Sequence, residues 1–142
     1  MDRYYLCRAL NRLVRVYGPA DRKNRARCRV VPWDRLPPLL LDPRDGVAFY
    51  ICNTEVFGKG GKHWIAVHVP DSGPVEYFDP TGAGFTPGEL HPHDYTYLTN
   101  TLRVQRDSSP NCGWFCLQFC KRRLLGQNMV DACRAMYRGC VI

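Results

Sequence analysis

The chain has 142 residues, 45% hydrophobic and 23% charged, which is a globular composition with enough apolar mass for a real core, and it excludes a disordered chain. It contains no run of about 18 apolar residues, so no membrane span is expected, and its charged start lacks the apolar core of a signal peptide, so an intracellular location is expected. The net charge of +7 belongs to residues 1–44, which hold 11 Lys/Arg against 4 Asp/Glu; residues 45–142 hold 9 of each. A localised basic surface is what polyanion binding requires, although a solvated arginine face is the plainer explanation of such charge.

Taken in chain order, residues 2–17 predict a helix. Leu6, Leu10, Leu13, Val14 and Tyr17 fall on one face at about 100° per residue, with Arg8, Arg12 and Arg15 on the other. Gly18-Pro19 is a stop signal. Asp21 to Arg29 predicts a basic loop containing Arg22, Lys23, Arg25, Arg27 and Arg29, and the prolines between 30 and 45 predict an extended wrap. Strands are predicted over 46–54, 63–69 and 75–78. Glycines 58, 60 and 61 separate the first two, and Asp71-Ser72-Gly73-Pro74 makes a tight connection between the next two. Residues 98–105 supply a further short strand. A largely apolar helix follows from about Cys112 to Leu125, ended by Gly126, and a last helix runs from about Asn128 to Tyr137. Helix, then strands, then helices implies an α+β domain over 1–142, with a basic helix and extended segment (1–44) preceding a core (45–142).

Eight cysteines and no signal peptide give weak grounds for disulfides. Cys112, Cys116 and Cys120 recur every four residues on one predicted helix, where they read as small core residues. No Cys-x-x-Cys pair is present, so a structural zinc site is not expected. Nothing in the sequence requires a cofactor.

Cys112 differs from its two neighbours because it falls at the start of that helix. A helix N-terminus favours thiolate over thiol, and a nearby imidazolium would lower the thiol pKa further; the alternative is a third buried structural Cys. His63 opens a strand after a glycine-rich turn, where a side chain can face a cleft. His68, five residues on, falls on the opposite sheet face by alternation, so only one of them can join a site with Cys112. His91 and His93 read as an exposed loop pair. Asp79 ends the 75–78 strand. If the two strands pair antiparallel, their open ends bring Asp79 near His63, where a carboxylate can hold the imidazole tautomer. Otherwise Asp79 is a turn residue before Pro80, and Asp71, Glu76 and Asp94 are rival acids. Gln105 has an amide that can donate to an oxyanion, but is otherwise an ordinary polar strand residue. Gly113 leaves the backbone beside Cys112 open. The Trp64 ring either packs in the core or covers the dyad, so Trp64 and Gly113 are candidates for contact with substrate.

Three segments carry a resemblance: Asn53-Thr54 with Gly60-Gly61-Lys62-His63-Trp64; Tyr77-Phe78-Asp79-Pro80-Thr81-Gly82; and Gln105 through Asn111-Cys112-Gly113-Trp114-Phe115-Cys116. They resemble the adenovirus-type endopeptidase (adenain) family, within the larger clan that includes SUMO- and ubiquitin-like deconjugating proteases. The resemblance implies His63 as general base, Asp79 as its orienting acid, Cys112 as nucleophile and Gln105 as oxyanion donor. It also implies a papain-related α+β fold in which a central Cys-bearing helix packs on a small mixed or antiparallel sheet with flanking helices. The implied activity is endopeptidase cleavage after glycine in virion precursor proteins, by a monomer, with location in the host nucleus and virion. The family's activators, a viral peptide and viral DNA, are implied as partners. Nucleic-acid contact would then fall to Arg8, Arg12, Arg15, Arg22, Lys23, Arg25 and Arg27. Asp79 departs from the glutamate of the adenovirus enzymes and matches the broader clan. The alternatives are a ubiquitin- or SUMO-like deconjugating protease and a DNA-binding structural protein on a vestigial protease fold.

Overall fold

The computed structural model describes residues 3–18, 27–32, 47–53, 63–70, 73–82, 97–100, 102–105 and 111–137. Within them the chain runs α1 (Arg3–Tyr17), β1 (Arg27–Pro32), β2 (Val47–Asn53), β3 (Trp64–His68), β4 (Val75–Phe78), β5 (Tyr97–Thr99), α2 (Cys112–Leu124) and α3 (Met129–Tyr137). The expected α+β class holds, with the Cys-bearing helix α2 on a five-stranded mixed sheet.

The strands lie side by side in chain order. The β2–β3 and β3–β4 pairs are antiparallel, while the flanking β1–β2 and β4–β5 pairs are parallel. Alternation sorts the side chains. Phe49 and Ile51 of β2, Trp64 and Ala66 of β3 and Phe78 of β4 point to the face covered by the helices. There they meet Leu6 and Leu10 of α1, Cys116, Phe119 and Cys120 of α2, and Ala132 and Met136 of α3. Tyr50, Cys52, Ile65, Val67, Val75 and Tyr77 form a second buried apolar layer on the other face. Phe78 and Phe119 stack with their ring centroids 4.7 Å apart, which fixes α2 against the end of β4.

Two expectations need correction. The basic segment 21–29 is not a loop throughout: Arg27–Pro32 is the edge strand β1, paired with β2. Its β-branched pair Val30-Val31 gains more from lying on the sheet than the surrounding arginines lose, since an edge strand tolerates charge and a terminal proline. The strand expected over 98–105 is only Tyr97–Thr99, so Gln105 lies beyond it and is not a strand residue. The expected extended wrap between 33 and 45 falls outside the described residues.

α2 stops where expected. Gly126 has φ +91°, which an L side chain resists, and its N–H donates to the Arg123 carbonyl while that of Gln127 donates to the Arg122 carbonyl. Together these bonds make a Schellman end. Asn128 then caps α3 by accepting from the Asp131 N–H at 2.8 Å.

The same helix end is tied to the sheet by charge. Glu76 Oε1, buried on β4, accepts from Arg123 Nε at 2.8 Å and pairs with His68 Nδ1 at 2.7 Å. His68 stacks on Phe49 at 4.6 Å. Burial alone would raise the Glu76 carboxyl, but its His68 and Arg123 partners outweigh that and hold it below its ordinary value. A buried carboxylate without such partners would be strongly destabilising.

Candidate active site

The antiparallel register that sets Ala66 opposite Phe78 puts the start of β3 beside the end of β4. His63 immediately precedes β3 and Asp79 immediately follows β4, so the sheet delivers both to one edge. His63 Nε2 and Asp79 Oδ1 are 2.8 Å apart, with the His63 side chain 27% exposed and that of Asp79 7%. The acid is held in turn by its own turn: Asp79 Oδ1 accepts from the Thr81 N–H at 3.0 Å and from Thr81 Oγ1 at 2.8 Å.

α2 brings in the thiol. It packs on β3 with its first residue, Cys112, at the same end, and the Trp64 peptide holds it there. The Trp64 N–H donates to Cys112 Sγ at 3.4 Å, and one turn later the Cys116 thiol donates to the Trp64 carbonyl at 3.4 Å. Asn111 stands at the N-cap but its side chain makes no capping bond, and the first turn carries no acid. The positive end of the helix dipole is therefore left to act on Cys112. With His63 Nε2 taken by Asp79, Nδ1 is the nitrogen left for the Cys112 thiol.

The titration properties follow from this geometry. The hydrogen bond to Asp79 and then the one to Cys112 push His63 up to about 9, against the opposing effect of burial. Burial would raise the Cys112 thiol, but the His63 hydrogen bond, the Trp64 N–H, the imidazolium charge and the Gly113 N–H together hold it below its ordinary 9.0. Asp79 behaves likewise: burial opposes ionisation, and His63 and Thr81 outweigh it, holding the carboxyl low. The other two thiols of α2 go the opposite way, because burial pushes both Cys116 and Cys120 far up.

The remaining candidates are placed as follows. Gln105 reaches the acid's corner through its backbone, its N–H donating to the Pro80 carbonyl at 2.9 Å, and its side chain is buried. The Trp64 ring is 5% exposed and packs in the helix-side core, so the packing alternative describes its environment. Gly113 is buried in the first turn of α2. His68 and Glu76 pair with each other and with Arg123 of α2, so His68 lies on the helix-covered face and not on the opposite one expected. It stays out of the site because it stands at the far end of β3 from His63. Arg8, Arg12 and Arg15 are exposed on α1 and line a groove of about 980 Å³ between α1 and α2, together with Tyr4, Tyr17 and Trp114. Arg27 begins β1, while Arg22, Lys23, Arg25, Asp71, His91, His93 and Asp94 lie outside the described residues. No cluster of three or more His, Cys, Asp or Glu suited to a metal ion occurs among the described residues. Two residues escaped the sequence reading: Thr81 and Asn100, which both bond Asp79. The Asp-Pro-Thr spacing offered a signal for Thr81, because a turn Asp commonly bonds two residues on; Asn100 offered none.

No family model matches the chain, and no curated protein does. Solved structures do match. One is AvrA solved with IP6 and CoA, 20% identical, with a TM-score of 0.56 over 98% of this chain and 57% of that one. AvrA is a YopJ-family acetyltransferase with a cysteine-protease-like fold. The chain thus has a cysteine-protease-like fold and spans little more than half the length of that neighbour.

The opposed thiol shifts generate a direct expectation. Iodoacetamide at slightly acidic pH should label Cys112 well before Cys116 or Cys120, as read by peptide mass spectrometry, and His63→Ala should slow that labelling by roughly tenfold or more, in line with the loss of thiolate when an imidazolium is removed. Equal labelling of all three thiols would reject an activated Cys112.

Proposed function

We propose that the chain is a cysteine endopeptidase of the adenovirus type, cutting after glycine in precursor proteins during virion maturation. One observation carries the hydrolase reading: a single imidazole stands between a buried carboxylate and a thiol at a helix N-terminus. Glycine preference and the maturation role rest on the resemblance of the Gly-Gly-x-His-Trp and Gln-to-Cys-Gly segments.

In this reading the Cys112 thiolate attacks the scissile carbonyl carbon, and the oxygen takes the charge. The Gln105 amide and the Cys112 N–H serve as its donors. Collapse breaks the C–N bond as His63 Nδ1–H passes its proton to the leaving amine, leaving a thioester. Water then attacks, giving a proton to His63, and the acid product leaves as Cys112 departs as thiolate. Asp79 keeps Nε2 protonated and stabilises each imidazolium, without itself taking a proton. Gly113, without a side chain, keeps the approach to the thiol open.

The competing readings share the thioester. A ubiquitin- or SUMO-like substrate also presents a Gly-Gly carbonyl, and an acetyltransferase such as the AvrA neighbour would pass an acyl group to an amine or hydroxyl instead of water. Incubation with capsid precursors, with a diubiquitin or SUMO conjugate, and with acetyl-CoA plus a peptide acceptor, each followed by mass spectrometry, separates them. The expected result is precursor cleavage after glycine, lost by at least about 10³-fold in Cys112→Ala. Its rate should fall at low pH as the thiolate is protonated and at high pH as His63 loses its proton near 9. Acetylated acceptor without cleavage would overturn the endopeptidase reading.

A second reading, DNA binding by α1, is favoured by the groove that sets Arg8, Arg12 and Arg15 beside Tyr4, Tyr17 and Trp114. The arginines would neutralise backbone phosphates, and the Tyr4 ring, with Arg8 over it at 5.9 Å, helps to hold that guanidinium in the groove. Affinity for duplex DNA should fall by about 0.9 log unit per log salt for each phosphate neutralised, and replacing the three arginines by alanine should flatten that slope. A slope near zero in the unmodified protein would reject it.

A further inference from the structure

We infer that Asn100 is a positioning residue for the proposed reaction: its side-chain amide clamps the Asp79 backbone on both sides of the Cα that carries the acid. The inference rests on the hydrolase reading of His63, Asp79 and Cys112.

The β4–β5 ladder ends at the Tyr77–Thr99 pair, two residues short of the acid on one strand and one short of Asn100 on the other. At that point the Asn100 side chain takes over the role of the backbone. Its Oδ1 accepts from the Asp79 N–H at 2.7 Å, and its Nδ2 donates to the Asp79 carbonyl at 2.7 Å and to the Leu102 carbonyl at 3.1 Å. Asn100 is 7% exposed, so these bonds are made away from water, where they are strongest. The amide's one acceptor and both of its donor hydrogens are thereby used, which fixes its orientation. An aspartate there could accept but not donate; a glutamine carries the same groups one carbon too far out.

The clamp belongs to a wider seam. The Val104 and Gln105 N–H groups both donate to the Pro80 carbonyl at 2.9 Å, and Arg103 Nε donates to the Thr81 carbonyl at 3.0 Å. Thr81 bonds the Asp79 carboxylate and the Gly82 N–H donates to the Asp79 carbonyl at 2.9 Å, both from within the acid's own turn. Asn100 holds the Asp79 backbone from the neighbouring strand, and through Leu102 it also sets the path of the chain toward Gln105. One amide thus places both the carboxylate that grips His63 and the segment that brings in the proposed oxyanion donor.

Releasing the clamp lets the carboxylate drift from His63 Nε2, and the imidazolium loses its main support. The test compares the pH dependence of Cys112 alkylation and of precursor cleavage in the intact chain, in Asn100→Ala and in the milder Asn100→Ser. Met136→Ala, a core truncation on α3, is the control for lost stability. Asn100→Ala should move the alkaline limb of cleavage and the His63-dependent part of the alkylation profile to lower pH. It should also lower kcat by roughly 10- to 100-fold with KM little changed, as a small misplacement of a catalytic group does. Asn100→Ser should fall between, and carries the test if the alanine variant does not fold. Met136→Ala should melt earlier yet keep the original pH profile. A folded Asn100 variant with the original profile and kcat overturns the inference, as does a Met136→Ala protein that shifts by the same amount. The alkylation arm needs no substrate. Absence of cleavage in the intact chain would therefore defeat the endopeptidase reading while leaving Asn100 still tested.

Discussion

The bond from Asp79 to His63 is the interaction on which the rest of the site depends. It occupies Nε2, so Nδ1 is the nitrogen that faces Cys112. It supplies the largest push on the imidazole toward its charged form, and that charge in turn lowers the thiol. The bond exists because β3 and β4 are antiparallel neighbours whose open ends coincide. It holds because Thr81 and Asn100 take up the remaining freedom of the acid. The Phe78–Phe119 stack extends the same logic to α2, since the residue just before the acid is the one that seats the helix bearing the thiol.

Three thiols spaced one turn apart on α2 show how narrowly the chemistry is confined. Cys116 and Cys120 are shut in the core and resist ionisation; Cys112, at the helix start, meets an imidazolium, two backbone N–H groups and the positive end of the dipole. Cys116 has work of a different kind, donating to the Trp64 carbonyl while the Trp64 N–H meets Cys112. The tryptophan peptide thus stitches the first turn of α2 to the sheet edge. Farther along the helix, the Glu76–Arg123 pair fastens the other end. A helix fixed at both ends can hold its first residue against a partner on another element, as preorganised catalysis demands.

Much of this was legible in the sequence where local pattern and position agree. The stop at Gly126 and the hairpin that pairs Asp79 with His63 follow from turn chemistry and strand pairing. His68, expected on the opposite face, lies instead on the helix-covered one with Phe49, Glu76 and Arg123, because His63 sits just before β3 and does not share its alternation. β1 was hidden because Arg27 and Arg29 continue the basic run before them, and strand status came from pairing with β2, a non-local event. The short reach of β5 was hidden for the same reason. Asn100 was invisible because its meaning lies in a residue 21 positions away, and no spacing rule connects a strand-end amide to an acid on a neighbouring strand. Gln105 was assigned through resemblance, and what the fold adds is the physical link, its N–H on Pro80 next to the acid.

The most direct test is a nitrogen NMR titration of the His63 ring in the intact protein, assigned among the four histidines by a His63→Ala comparison. The imidazolium should persist through neutral pH and lose its proton near 9, with Nε2 keeping its hydrogen afterwards because Asp79 holds it. A ring that titrates near the ordinary 6.5, or that keeps its hydrogen on Nδ1 when neutral, would contradict the thiolate–imidazolium pair and the account built on it.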